Sequence, residues 1–174
     1  AGGMSHTIIQ NNLIYFPKRA IYIIGTSESI SILNNNAIAG GDGGEGILFG
    51  DATHFCDHCI ISGNILRSFG LDGIKVLGLE YGVISNNVLS KNGNDTDNTY
   101  SGILLAAGGG NSIYNIITGN NITSDSVNNP QYGIRENSSA DGPNIITNNI
   151  VLNAQTAQIS TQHASSDVSH NITA

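Results

Sequence analysis

Apolar residues in this chain fall in pairs, and the pairs recur. The clearest copy is Ile145-Ile146-Thr147-Asn148-Asn149-Ile150: two apolar residues, a short polar stretch ending in Asn, then another apolar residue. The phrase returns as Ile8-Ile9-Gln10-Asn11-Asn12-Leu13, Cys59-Ile60-Ile61-Ser62-Gly63-Asn64-Ile65, Val83-Ile84-Ser85-Asn86-Asn87-Val88 and Ile116-Ile117-Thr118-Gly119-Asn120-Asn121-Ile122. It is looser at Ile32-Leu33-Asn34-Asn35-Asn36-Ala37-Ile38 and clipped at Val168-Ser169-His170-Asn171-Ile172. With the final Asn of each phrase as its anchor, the anchors are Asn12, Asn36, Asn64, Asn87, Asn121, Asn149 and Asn171. They are spaced by roughly 20–35 residues, the period of a solenoid.

Each unit carries a second phrase, a small residue followed by a short strand: Ala20-Ile21-Tyr22-Ile23, Gly46-Ile47-Leu48-Phe49, Gly73-Ile74-Lys75-Val76, Gly102-Ile103-Leu104-Leu105 and Gly133-Ile134-Arg135-Glu136. No stretch holds a helical period over three turns, so the elements are short strands. Two-residue Asn-Gly hairpins do not join them, and insertions fall at fixed points of the unit, which argues against a sandwich. The pattern predicts an all-β fold, a right-handed parallel β-helix of about six to seven coils, as one domain over residues 1–174. Inward Ile would stack on Ile, and the repeated Asn would turn inward and bond the next coil. Strand faces alternate, so Tyr22, Leu48, Lys75, Leu104 and Arg135 should form an outward column.

The alternation of Ile-x-x-Asn-x-Ile with Gly-Ile-x-Val resembles the repeat of the pectate-lyase-like superfamily over residues 6–172. That group includes polysaccharide lyases, polygalacturonases, alginate epimerases and phage tailspikes. Gly119-Asn120-Asn121-Ile122-Thr123, followed by Gln131 to Asn137, is similar to the last coils of secreted alginate epimerases and phage tail β-helices. The resemblance implies polysaccharide as partner and an extracellular or virion setting. If the chain is an enzyme, the resemblance implies a lyase, glycoside hydrolase or epimerase. The Asp-Pro-His-Glu run of the epimerases is missing, as is the Gly-His-Gly pattern of polygalacturonases. That departure favours a rival, non-catalytic reading: a fibre or adhesin segment assembling through exposed coil ends, as a trimer or filament. Chain preceding residue 1, or another subunit, could instead cover the first coil.

Composition fits this picture and narrows the partners. Only 11% of residues are charged, against roughly 25% in an average domain. There are 22 glycines and no Trp. The net charge of −7 speaks against nucleic acid, which wants a basic stripe. No apolar run is long enough to span a bilayer as a helix.

Candidate chemistry falls in two places. The insertions 39–45, 90–100 and 124–132 share one corner and would stack into a wall. That wall holds Asp42, Glu45, Asp95 and Asp97 with Tyr100 and Tyr132. Paired carboxylates could perform acid/base hydrolysis, and Asp42, Asp95 and Asp97 leave Ca2+ open as a ligand; a solvated acidic loop is the plainer alternative. The second place is Asp57 and His58, with Asp72 and Lys75 one coil on. His beside Asp supplies an oriented base, and Lys75 or Arg135 could neutralise a substrate carboxylate. Tyr22, Lys75 and Arg135 could equally make a shallow sugar-binding face. Cys56 and Cys59, with His54 and His58 near, admit a metal site, a local disulfide or two packed thiols. Asn121, as an inward residue, would be closed to glycosylation despite its sequon.

Overall fold

The computed structural model describes residues 5–41, 43–124 and 128–174. Every strand pairing in it is parallel. Sheet 1 has seven strands, from Ile8–Gln10 to Asp167–Ser169, and sheet 2 has seven, from Leu13–Tyr15 to Ile172–Thr173. Sheet 3 has six, from Ile21–Ile23 to Ala157–Ser160. Sheet 4 is short: Ser27–Glu28, Cys56–Asp57 and Leu79–Glu80. The chain visits these sheets in turn and each strand pairs with its equivalent one coil away, so the fold is an all-β parallel β-helix of seven coils with no helix among the described residues.

The core is a set of aliphatic columns. Ile9, Ile32, Ile61, Ile84, Ile117, Ile146 and Val168 occupy one register line of sheet 1, and the five from Ile32 to Ile146 are fully buried. Burying such side chains contributes roughly 1.5–3 kcal/mol each. Phe49 and Phe69 are the largest buried side chains.

The turn from sheet 1 to sheet 2 contains the Asn ladder, with two anchors moved by one residue. The file runs Asn12, Asn35, Asn64, Asn87, Asn120, Asn149, Asn171. Each Oδ1 accepts the backbone N–H and the side-chain amide of the Asn one coil below, at 2.8 to 3.1 Å. From Asn35 on, each Nδ2 donates to the inward aliphatic carbonyl one coil below, for example Asn87 to Ile61 at 3.0 Å, whereas Asn12 donates to the Gln10 carbonyl at 3.1 Å. Asn36 and Asn121, expected as anchors, begin the following strands and point outward; Asn121 is exposed. The backbone decides this. The residue before every ladder Asn has positive φ: Asn11, Asn34, Gly63, Asn86, Gly119, Asn148 and His170. Asn and Gly tolerate that conformation best.

The second phrase opens with a small residue for a steric reason. A Cβ on Gly102 would lie 2.4 Å from Ile122 Cγ2, and one on Gly133 would lie 1.9 Å from Val151 Cγ1. The strands of sheet 3 therefore begin where the core comes closest to the backbone.

Candidate functional site

The three insertions singled out above share one corner, between sheets 2 and 3, at residues 39–41 and 43–46, 91–100, and 124 and 128–131, whereas connections of similar length, 107–115 and 137–144, lead from sheet 3 back to sheet 1. The insertions are knitted across coils. Asp97 accepts the Asn129 N–H at 3.0 Å and also bonds the Gln155 side-chain amide. Thr156 donates to Asn98 at 2.8 Å, and Asn128 donates to the Asn94 carbonyl at 2.9 Å. Asp97 thus ties one loop to the next. Asp95 is exposed, close to Gly43. Asp42 lies outside the described residues. Among the described residues no three His, Cys, Asp or Glu side chains converge as a metal site.

Beside this wall, the outer face of sheet 3 gathers charge. Strand register places Tyr22, Leu48, Lys75, Leu104 and Arg135 in one column, as the alternation predicts. A second column precedes the small residues: Arg19, Glu45, Asp72, Ser101 and Tyr132. Glu45 belongs here, not to a solvated loop. It is 4% exposed, pairs with Arg19 at 2.6 Å and has Lys75 Nζ at 3.9 Å. Asp72 is equally buried and accepts the Ser101 N–H at 2.7 Å. Burial lifts its carboxyl to about 6, against the pull of the Ser101 N–H, Lys75 and Arg135. Arg135 lies over the Tyr132 ring, 4.6 Å from its centroid, with its Nε buried and unpartnered. Arg19 lies over Tyr22 at the same distance. Leu48, expected as an exposed outward apolar residue, is buried in this crowd. Tyr100 stands in the wall, half-buried.

Asp57 and His58 do not join Asp72 and Lys75. Asp57 ends a strand of sheet 4 and His58 follows it, around the corner marked by Gly78. His58 Nδ1 is 2.7 Å from Asp57 Oδ1, and its ring is mostly exposed. The neighbouring His54 pairs with Asp51 at 2.8 Å; the Thr53 N–H holds the Asp51 carboxyl down at about 2. Cys56 and Cys59 are free, buried thiols. Cys56 donates its S–H to the Cys59 sulfur, which with burial pushes the Cys56 thiol up and draws the Cys59 thiol down.

Two features escape a reading of the phrases alone. His58, Tyr81 and Tyr114 stack in consecutive coils, with ring centroids 5.3 Å apart and planes 19° and 16° from parallel. A short second ladder, Gly82 N–H to Asn115 to Asn144, runs beside them at 2.7 and 2.9 Å. The signal was present: each residue stands one or two places before an apolar pair, in His58-Cys59-Ile60-Ile61, Tyr81-Gly82-Val83-Ile84 and Tyr114-Asn115-Ile116-Ile117.

Fold and face together define a parallel β-helix with a mixed-charge outer sheet. The chain belongs to the family described as right handed beta helix region, whose model matches residues 1–173. Among solved structures it is similar to the A-module of the mannuronan C-5 epimerase AlgE6 of Azotobacter vinelandii, with a TM-score of 0.64 and 18% identity. That match covers 99% of this chain and 55% of the other, so the chain spans about half the length of that structure. At this identity the likeness establishes the fold. The comparison with curated proteins gives no match.

Proposed function

We propose that this chain is an extracellular or virion-borne module that engages an acidic polysaccharide on the outer face of sheet 3. The observation that carries this reading is Asp72, a buried carboxyl lifted to about 6 beside Lys75 and Arg135. Removing or moving a proton α to a carboxylate needs a cation on that carboxylate and a group that exchanges protons near neutrality. Lys75 and the Arg135 guanidinium supply the first, and Asp72 the second. Glu45, already paired with Arg19 and Lys75, orients Lys75. Tyr22, 45% exposed, offers ring surface at one end of the column. The chemistry is that of a lyase or epimerase, the same class of polymer named for the AlgE6 module.

The test incubates the protein with acidic and neutral polysaccharides. Ultraviolet absorbance reports unsaturated products, reducing ends report hydrolysis, and solvent deuterium in the product reports epimerisation. Turnover on a uronate polymer that is lost in Asp72→Asn is expected. Full activity in that variant would remove Asp72 from the assignment.

A second reading, a non-catalytic fibre, is favoured by the first coil, where Ile8, Leu13, Tyr15 and Phe16 are 59 to 77% exposed. Filaments by negative stain, with no turnover on any polymer, would decide for it.

A further inference from the structure

The aromatic stack ends on Tyr114, and beyond it lies a recess of about 290 Å3. Tyr81 covers one face of Tyr114. The recess opens on the other side, toward Pro143 and Ser165 in the next two coils. Ile116 and Ile145 form its apolar wall, each about 40% exposed. Asp167 stands at its rim, in register with Ile145.

We propose that this recess binds a single uncharged sugar ring, stacked on Tyr114 and donating hydroxyls to Asp167. Size points to one ring: the volume lies just under the range of about 300–1,000 Å3 for sites that enclose larger ligands. Chemistry points to a sugar: an aromatic face beside aliphatic carbon suits the C–H face of a pyranose, and a rim carboxylate accepts its hydroxyls. Charge rules against an acidic sugar. All six Lys and Arg of the chain, Lys18, Arg19, Arg67, Lys75, Lys91 and Arg135, lie on sheets 2 and 3 or the turns between them. This corner instead carries Asp167 and the aligned carboxylates Glu28, Asp57 and Glu80. The site is therefore separate from the sheet 3 face in place and in ligand charge, and it stands whether or not that face is catalytic.

The test titrates the protein with neutral trisaccharides of glucose, galactose and mannose and with a uronate trisaccharide, by calorimetry and saturation-transfer NMR. At least one neutral sugar should bind, with saturation concentrated on one ring. Tyr114→Ala should weaken it about tenfold, while Tyr114→Phe keeps it. Asp167→Asn, at an exposed position, should weaken it about threefold and serves if Tyr114→Ala melts early. No binding of any neutral sugar, equal binding of the uronate, or unchanged affinity in both variants would overturn the proposal. Loss of self-association in Tyr114→Ala without sugar binding would overturn it in favour of a second copy of the chain.

Discussion

Asn87 is engaged on every polar atom of its side chain. Its Oδ1 accepts from Asn64 N and Nδ2, and its own amide donates to Ile61 O and Asn120 Oδ1. Asn87→Ala would leave the Asn64 N–H unpaired inside the protein, at a cost of about 1–3 kcal/mol, and would take one partner from Ile61 O and from Asn64 Nδ2, which keeps the Ile32 and Ser62 carbonyls. A loss of about 3 kcal/mol is expected by urea unfolding. Asn121→Ala, outside the file, should cost under about 0.5 kcal/mol; the reverse ranking would place the ladder one residue off. Asp72 adds a pH signature. Its carboxyl is raised from 3.8 to about 6, so the native state holds the proton more tightly than the unfolded chain does. Its contribution favours the fold below pH 3.8 and is lost as pH rises toward 6. The loss is about 3 kcal/mol. Asp72→Asn keeps an acceptor for Ser101 but cannot ionise, so its stability advantage over wild type should grow between about pH 4 and 6 and then level off. A constant difference across that range would show that Asp72 is not buried as described.

At the scale of the strand, the small residue that opens each second phrase is a packing requirement. A Cβ at Gly133 would meet Val151 and the Gln158 carbonyl, which lies at 2.6 Å. Gly133→Ala should therefore cost about 3 kcal/mol, the upper end for overpacking, read as a lower thermal midpoint with unchanged β-sheet circular dichroism. Val151→Ala in the same chain should recover part of it, because it empties the space the new methyl needs. These phrases are also where the fold was most legible. Ile-Ile and Gly-Ile recur because one pattern must satisfy every coil, so neighbouring copies confirm each other. The anchors were less legible. Asn34-Asn35-Asn36 and Asn120-Asn121 offer adjacent residues of one type, and only the positive φ at Asn34 and Gly119 chooses between them. Comparison with Gly63-Asn64 could have settled the second case. The candidate site was legible as an outward column but not in its burial. Glu45 and Leu48 are covered by neighbours 26 or more residues away in sequence, Arg19 and Lys75 among them. Asp72 and Lys75 are expected one coil on from Asp57 and His58, whereas the residue one coil on from Asp57 is Glu80, and the chain turns a corner between Lys75 and Glu80 onto a different sheet.

Across the whole molecule, charge is partitioned around the coil axis. The six cations occupy the side of sheets 2 and 3, although the net charge is −7. That side also carries Glu45, Asp72, Asp95 and Asp97, so an acidic polymer should be drawn to Lys75 and Arg135 themselves rather than to the side as a whole, and repelled from the corner that carries Glu28, Asp57 and Glu80. Exposed charges are screened beyond about 10 Å at 0.1 M salt, so affinity for a uronate polymer should fall as salt rises. Lys75→Ala and Arg135→Ala should each weaken binding and flatten that salt dependence, because each removes a cation that meets the polymer's carboxylates. The charge-conserving Lys75→Arg should retain most of the slope. Binding isotherms at about 0.02 and 0.3 M salt, either side of the screening change, read both quantities at once. Affinity that ignores salt, or a slope untouched by Lys75→Ala and Arg135→Ala together, would mean that the polymer meets the protein somewhere other than sheet 3, and Asp72 would then have no substrate to act on.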